Sequence, residues 1–174
     1  MKKATIGVLT LMMFVLASCK KDKDTNTPGG TTGGSATVTA GNYGFDGSAS
    51  LGKFSSTKAG ITQVTAAGIT TFSVVAIKDG GKESISIILL QKAAVGKVAI
   101  GSSFHHGGIL LRNAYTKPTD LTLNYSTDRD GTNQGGGEVN ITKVDGSAVE
   151  GTVYAVAYNS AGKESFVEQG SFKG

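Results

Sequence analysis

The strongest pattern of polar and apolar positions lies near the C-terminal end of the chain. In residues 137–144, valine and isoleucine alternate with glutamate, asparagine and threonine. A period of two residues predicts a β-strand with one buried face. The turn residues Asp145 and Gly146 lead into a second apolar run at 149–158, and a third run follows at 164–172. We therefore predict a three-stranded antiparallel meander.

A second hairpin is predicted nearer the middle of the chain. Residues 70–77 and 84–90 are rich in isoleucine, valine and threonine, and they flank an Asp-Gly-Gly turn at 79–81, in which glycine supplies the positive φ of a tight turn. The segment 58–67 fits either a turn of helix or a strand. Weaker strands are predicted near 97–101, 108–116 and 121–126, with one or two more within 45–55.

Glycine separates these apolar runs and makes up 26 of the 174 residues. Short strands that are divided by turn signals, with no long helical period, are typical of an all-β fold. We predict a single antiparallel β-sandwich or flattened barrel of about eight to ten short strands. The pattern alone does not choose between the sandwich and the barrel.

The N-terminal segment has a different character. Two lysines precede an apolar run at 6–16, and the run ends in Leu-Ala-Ser-Cys at 16–19. The run is shorter than the about 20 residues that a membrane-spanning helix needs, and small residues before a cysteine are typical of a lipobox. We therefore predict a lipoprotein signal peptide at 1–18 and an acylated Cys19 at the start of the mature chain.

Acylation of Cys19 makes membrane lipid a predicted partner of the protein. This places the protein at the cell envelope, on the outer membrane, with the periplasmic face and the cell surface both left open. Cys19 is the only cysteine, so no disulfide, thiolate zinc site or cysteine nucleophile is expected in the rest of the chain.

The residues after Cys19 are predicted to form a flexible tether at 19–37, because they include two glycine pairs and almost nothing apolar. A single β domain is predicted at 38–174. The charged cluster at 20–24 resembles the export tag of surface lipoproteins in Bacteroidota. The formal net charge is +4, but the cations are scattered singly after the tether, so nucleic acid is not an expected partner.

The C-terminal meander carries a set of short motifs. They are a G-x-V-x-I-T strand at 137–142, Gly-Thr-Val at 151–153 and Gly-Ser-Phe at 170–172. With the lipobox and the Gly/Thr-rich tether, these motifs resemble those of small Bacteroidota lipoproteins of unknown function, although Glu150 and Val153 replace the usual serine and phenylalanine. The resemblance implies an extracytoplasmic β domain and carries over no catalytic residue.

The run at 149–158 contains the most specific candidate for a binding site. If its valines and alanines at odd positions face the core, then Tyr154, Val156 and Tyr158 share the opposite face. Tyrosine combines an apolar ring with a polar tip and is common where proteins bind sugars or other proteins. We predict a protein or a glycan of the envelope as the partner. The alternative is that a second layer covers these side chains or that they lie at the rim of the sheet.

Two further segments offer weaker candidates for a metal site. A polar turn gathers oxygen ligands of the type that calcium prefers, at Asp128, Asp130, Asn133 and Glu138. The spacing does not match an EF-hand, and Arg129 adds a cation, so a polar loop without metal is the favoured interpretation. Adjacent strand residues point to opposite faces, so His105 and His106 would share a metal only within a loop, and we interpret them as a solvated turn.

The chain lacks the common catalytic motifs for serine nucleophiles, zinc proteases and phosphate binding. We therefore predict no enzyme activity and no cofactor. The favoured function is a non-catalytic binding module for a protein or glycan at the cell envelope. The alternatives are a structural or assembly component of the envelope and a barrel-like carrier of a small apolar ligand.

Overall fold

The fold is a single antiparallel sheet of eleven strands within the residues that the structure describes. The structure is a computed structural model, and it describes residues 36–46, 49–101, 106–128 and 132–174. The strands are β1 (Ala36–Phe45), β2 (Ala49–Ser50), β3 (Phe54–Ala66), β4 (Ile69–Ile77), β5 (Ser84–Leu89), β6 (Gly96–Ile100), β7 (Gly107–Arg112), β8 (Asn124–Ser126), β9 (Gly136–Asp145), β10 (Ala148–Tyr158) and β11 (Glu164–Lys173).

Eight of these strands close into a barrel. Each pairs with the next in the order β11, β1, β3, β4, β5, β7, β8 and β10, and β10 pairs again with β11. The closed ring decides between the two predicted architectures in favour of the barrel. The all-β prediction is confirmed, although β3 has 13 residues and β10 has 11, so the strands are not uniformly short.

Strand β10 connects the ring to the remaining wall. It meets β8 only where Tyr158 lies opposite Ser126, and it pairs with β9 along most of its length. Strand β9 pairs in turn with β6 on its other side. The predicted meander of β9, β10 and β11 and the predicted hairpin of β4 and β5 are therefore both confirmed.

The barrel interior is filled by side chains that alternate with outward residues along most of the strands. Its largest fully buried members include Tyr43, Phe54, Phe72, Ile87, Leu89, Ile109, Leu111, Tyr125 and Ile141. Gly151 also faces inward, because a Cβ at this position would lie 2.4 Å from Cζ of Phe172. The ring of Phe172 therefore packs against the bare backbone of β10 in the core.

A polar network connects the segments that meet around Asp46 and Asn159. The Tyr125 hydroxyl donates a hydrogen bond to Asp46, which follows β1 and has a φ of 60°. Buried Asn159 donates from Nδ2 to the carbonyl oxygen of Thr122 at 2.7 Å. Its Oδ1 accepts from the backbone nitrogen of Lys163 at 2.9 Å. The turn between β10 and β11 is thus tied to the loop before β8.

The boundaries of the predicted segments shift modestly. Strand β1 begins at Ala36, two residues before the predicted start of the domain. The ambiguous segment 58–67 belongs to strand β3 rather than to a helix. The predicted signal peptide and Cys19 lie outside the described residues. No helix among the described residues is long and apolar enough to cross a membrane.

Candidate functional site

The outer face of β10 presents the predicted tyrosine surface. Val153, Ala155 and Ala157 face the core and are buried, as the alternation predicted. Tyr154 and Val156 face outward, with 55% and 37% of their surface exposed. Tyr154 is therefore free of the second layer that the alternative interpretation required.

Tyr158 differs from Tyr154 because neighbouring strands partly cover it. Its hydroxyl donates to Oε2 of Glu164 at 3.2 Å. Burial, followed by the charge of Glu164 and this hydrogen bond, raises the pKa of Tyr158 above its usual value. Four strand residues span about 13 Å, so Tyr154 and Tyr158 do not form one stacking surface. Of the three predicted residues, Tyr154 offers the open aromatic face.

The strand next to Tyr154 is interrupted by a β-bulge. Val153 lies opposite Gly170, whereas Ala155 lies opposite Val167, so β11 has an additional residue at this point. Glu168 and Gln169 both point away from the core as a result. Gln169 has a φ of 50°, a conformation that costs a residue other than glycine about 1–2 kcal/mol. Bulges commonly redirect a side chain beside a functional site.

A glycine on β1 makes room for the Gln169 side chain. Gly41 lies between Ala40 and Asn42, which pair with Gly170 and Glu168. A Cβ on Gly41 would lie 2.4 Å from Oε1 of Gln169 and 3.1 Å from its Cβ. The side chain of Gln169 therefore lies across the bare backbone of β1.

Tyr154 and Gln169 form two walls of an open hollow of about 380 Å³ on the barrel surface. Its other lining residues are Thr152, Val153, Gly170 and Ser171. We call this surface the Tyr154 hollow. An aromatic face, an amide and two hydroxyl groups can bind a ligand that has both an apolar surface and hydrogen-bonding groups.

The surroundings of the Tyr154 hollow are polar and largely paired. Thr39 and Ser171 join their hydroxyl groups at 2.9 Å. Asn42 donates from Nδ2 to Oε2 of Glu168 at 3.2 Å. Two ion pairs flank this part of the sheet, Lys97 with Glu138 at 3.2 Å and Lys173 with Glu150 at 3.3 Å. Little unpaired charge therefore surrounds Tyr154.

The four oxygen ligands of the predicted calcium loop are not brought together in the described part of the chain. Asp128 is exposed, and Asp130 lies outside the described residues. Nδ2 of Asn133 donates to the carbonyl oxygen of Gly162 at 3.5 Å, and Glu138 pairs with Lys97. Among the described residues, no group of three histidine, cysteine, aspartate or glutamate side chains is placed to hold a metal ion. His105 also lies outside the described residues, and His106 is exposed.

A row of polar side chains on the opposite part of the barrel was not predicted. Ser84, Arg112 and Asn124 lie side by side on β5, β7 and β8. Ser84 Oγ, Arg112 Nε and Asn124 Oδ1 are buried and have no hydrogen-bond partner among the described residues. An unpartnered buried polar atom costs about 1–3 kcal/mol. Because each atom is sealed from the surface, this row offers no accessible binding site in the described structure.

The sequence gives one signal for the missed bulge. Gly170 interrupts the apolar run of β11, and an isolated glycine within a strand suggests a bulge or a close backbone approach. Both are present, since a Cβ at Gly170 would lie 2.5 Å from Cγ1 of Val153.

Comparisons of the chain with protein-family models, curated proteins and solved structures found no match.

Proposed function

We propose that this protein is a lipid-anchored, non-catalytic recognition module of the cell envelope. The lipobox that ends in Cys19 supports the anchor, and the tether would let the barrel reorient above the membrane. The observation that carries the recognition function is the exposed ring of Tyr154 beside the bulged Gln169. A protein or a glycan of the envelope is the proposed partner.

The packing of the barrel supports recognition over carriage of an apolar ligand. Pockets for small molecules usually have volumes of about 300–1,000 Å³ and bury most of the ligand. The barrel interior is occupied by its own side chains. A hollow at one barrel end, lined by Ile61, Phe72 and Val149, has a volume of about 50 Å³. This space is too small for such a ligand.

The sheet edge gives less support to assembly by strand pairing. Strand β6 ends the sheet order and pairs with β9 on one side. It has five residues, and its exposed Lys97 is engaged with Glu138. Short edge strands that carry lysine are the usual protection against pairing with another chain. The Tyr154 hollow is therefore the better candidate for contact with a partner.

The test uses the full acylated chain anchored in phosphatidylethanolamine liposomes, which are incubated with a delipidated envelope extract and then sedimented. We expect the wild-type chain to retain envelope material and Tyr154→Ala to lose this retention. Tyr115→Ala is the matched control, because Tyr115 is 39% exposed on the loop between β7 and β8. Equal retention by Tyr154→Ala and the wild type would show that this face is not the recognition surface.

The anchor is tested separately by Cys19→Ala. We expect this variant to remain unprocessed and to lose its acyl group, because no other cysteine is present. Mass spectrometry of the purified protein measures both changes. Normal acylation of the variant would contradict the lipobox assignment.

A further inference from the structure

The surface around Tyr154 combines one open aromatic ring with several neutral hydrogen-bonding groups. Tyr154 lies opposite Glu138 on β9, and the outward side chains around this pair include Asn140, Thr152 and Ser171. The flanking lysines Lys97 and Lys173 are each paired with a glutamate. A ligand at this surface meets hydroxyl and amide groups more than net charge.

This composition fits a carbohydrate better than a protein partner. The centre of a protein interface is usually apolar and poor in serine and charged residues. Here the large apolar side chains that β10 exposes are Tyr154 and Val156, and the hydroxyl-bearing residues Thr152 and Ser171 line the hollow with Tyr154. A sugar ring has an apolar C–H face that packs on an aromatic ring, and its hydroxyl groups need donors and acceptors around it.

The β-bulge adds an amide side chain to the lining of the Tyr154 hollow. Without the additional residue in β11, a single side chain would lie opposite Tyr154, but Glu168 and Gln169 are both exposed there. Gln169 has a positive φ and lies across Gly41. An amide group both donates and accepts hydrogen bonds. The strained backbone thus holds a versatile polar group at the wall of the Tyr154 hollow.

We infer that the Tyr154 hollow binds a neutral oligosaccharide. One sugar ring stacks on Tyr154, and its hydroxyl groups bond to the Gln169 amide and the Ser171 hydroxyl. This inference rests on the proposed recognition function and specifies its ligand class. Acidic polysaccharides are disfavoured, because the flanking lysines Lys97 and Lys173 are already paired with Glu138 and Glu150.

The first measurement uses the full chain in liposomes and labelled tetrasaccharides of glucose, mannose, galactose and N-acetylglucosamine. We expect at least one of these probes to bind, and Tyr154→Ala to weaken its binding about tenfold or more. Tyr154→Phe keeps the ring and should retain most of the affinity. Tyr115→Ala should bind as the wild type does. Binding of none of the four probes by the wild type, or equal affinity of Tyr154→Ala and the wild type for a bound sugar, would overturn the inference.

Gln169→Gly separates binding from stability. Glycine adopts a positive φ without strain, so this variant should unfold at the same temperature as the wild type or a higher one. It lacks the amide, and we expect sugar binding to weaken about fivefold. Unchanged sugar binding in a folded Gln169→Gly variant would remove Gln169 from the site.

Treated envelope extracts distinguish failure of this inference from failure of the proposed function. One portion is digested with protease so that glycans remain, and a second is oxidised with periodate, which destroys sugars with neighbouring hydroxyl groups. Retention of the first portion and loss of the second support the carbohydrate. A second outcome is that only the oxidised portion is retained and that Tyr154→Ala abolishes this retention. The recognition surface is then supported, and the carbohydrate inference is wrong. Retention of neither portion contradicts both.

Discussion

Two buried serines should respond to alanine in opposite directions. Ser56 on β3 lies opposite Val38, and Ser165 on β11 lies opposite Ala157, so both face the core. They are 1% and 0% exposed. Ser165 Oγ donates to the carbonyl oxygen of Gly44 at 2.7 Å. Ser56 Oγ has no partner among the described residues.

The magnitudes follow from this difference in hydrogen bonding. A buried hydroxyl group without a partner costs about 1–3 kcal/mol, because unfolding restores its bonds to water. Ser56→Ala removes this cost but leaves a small void, so we expect the free energy of unfolding to rise by about 1 kcal/mol. Ser165→Ala loses a satisfied hydrogen bond and should lower it by about 1 kcal/mol. The two variants should thus differ by about 2 kcal/mol.

Urea denaturation measures these changes directly. The chain contains no tryptophan, so far-UV circular dichroism is the suitable signal, and equal denaturant slopes would show that both variants unfold from a comparable native state. If Ser56→Ala destabilised the barrel as much as Ser165→Ala, then Ser56 Oγ would have to be hydrogen-bonded. The reasoning from its missing partner would then be refuted.

Two further predictions concern the core. Gly151→Ala should lower the free energy of unfolding by about 2 kcal/mol or more, since its Cβ would lie 2.4 Å from Cζ of Phe172 and 2.7 Å from the Asn140 carbonyl oxygen. Gly60→Ala, which meets nothing within 4 Å, should change it by less than about 0.5 kcal/mol. Burial, with the hydrogen bond and charge of Asp46, raises the pKa of Tyr125 above its usual value of 10.0. The native state therefore holds the hydroxyl proton of Tyr125 more tightly than the unfolded state does. This difference stabilises the native state fully below pH 10, and the stabilisation is lost as the pH rises further. Denaturation at pH 9 and pH 11 should show a smaller loss of stability for Tyr125→Phe than for the wild type, and an equal loss would contradict this coupling.

The local strands were predictable because they depend on neighbouring residues. The alternation in β9 and the turn before β5 each encode a short-range structure, and both hairpins are found. The segment 58–67 remained ambiguous because β3 itself breaks the alternation, with Thr57 and Lys58 both exposed. The register with β1 shifts at this point, and the Asp79 carboxylate accepts from the backbone nitrogen of Thr57 at 3.0 Å. This irregularity is accompanied by a contact with a residue 22 positions away, which local periodicity does not reveal.

Closure of the barrel depends on still longer-range contacts. A sandwich and a barrel share the same alternation along their strands, and they differ in which edges meet. Here closure requires β1 to pair with β11, so that Val38 lies opposite Phe172. No turn signal connects these two ends of the domain. The choice of a barrel therefore follows from how complete strands pack together.

The candidate site shows the same division between local and distant causes. The outward position of Tyr154 follows from the period of β10 alone and was predicted. The position of Gln169 depends on unequal residue counts in β10 and β11, and on Gly41 of β1, which leaves room for its side chain. Neither relation is local in sequence, so the amide wall of the hollow was missed.

The irregularities around β10 connect the architecture to the proposed function. Its register shifts against β9 between Glu150 and Gly151, and against β11 between Val153 and Ala155. Such bulges bend strands and increase their twist, which helps a sheet to curve into a barrel. On the β11 side, the same distortion turns Gln169 outward beside Tyr154. The β-bulge that favours curvature of the sheet thus also shapes the Tyr154 hollow. A binding surface at this position requires only the outer face of the strands, with no additional loop or interior cavity.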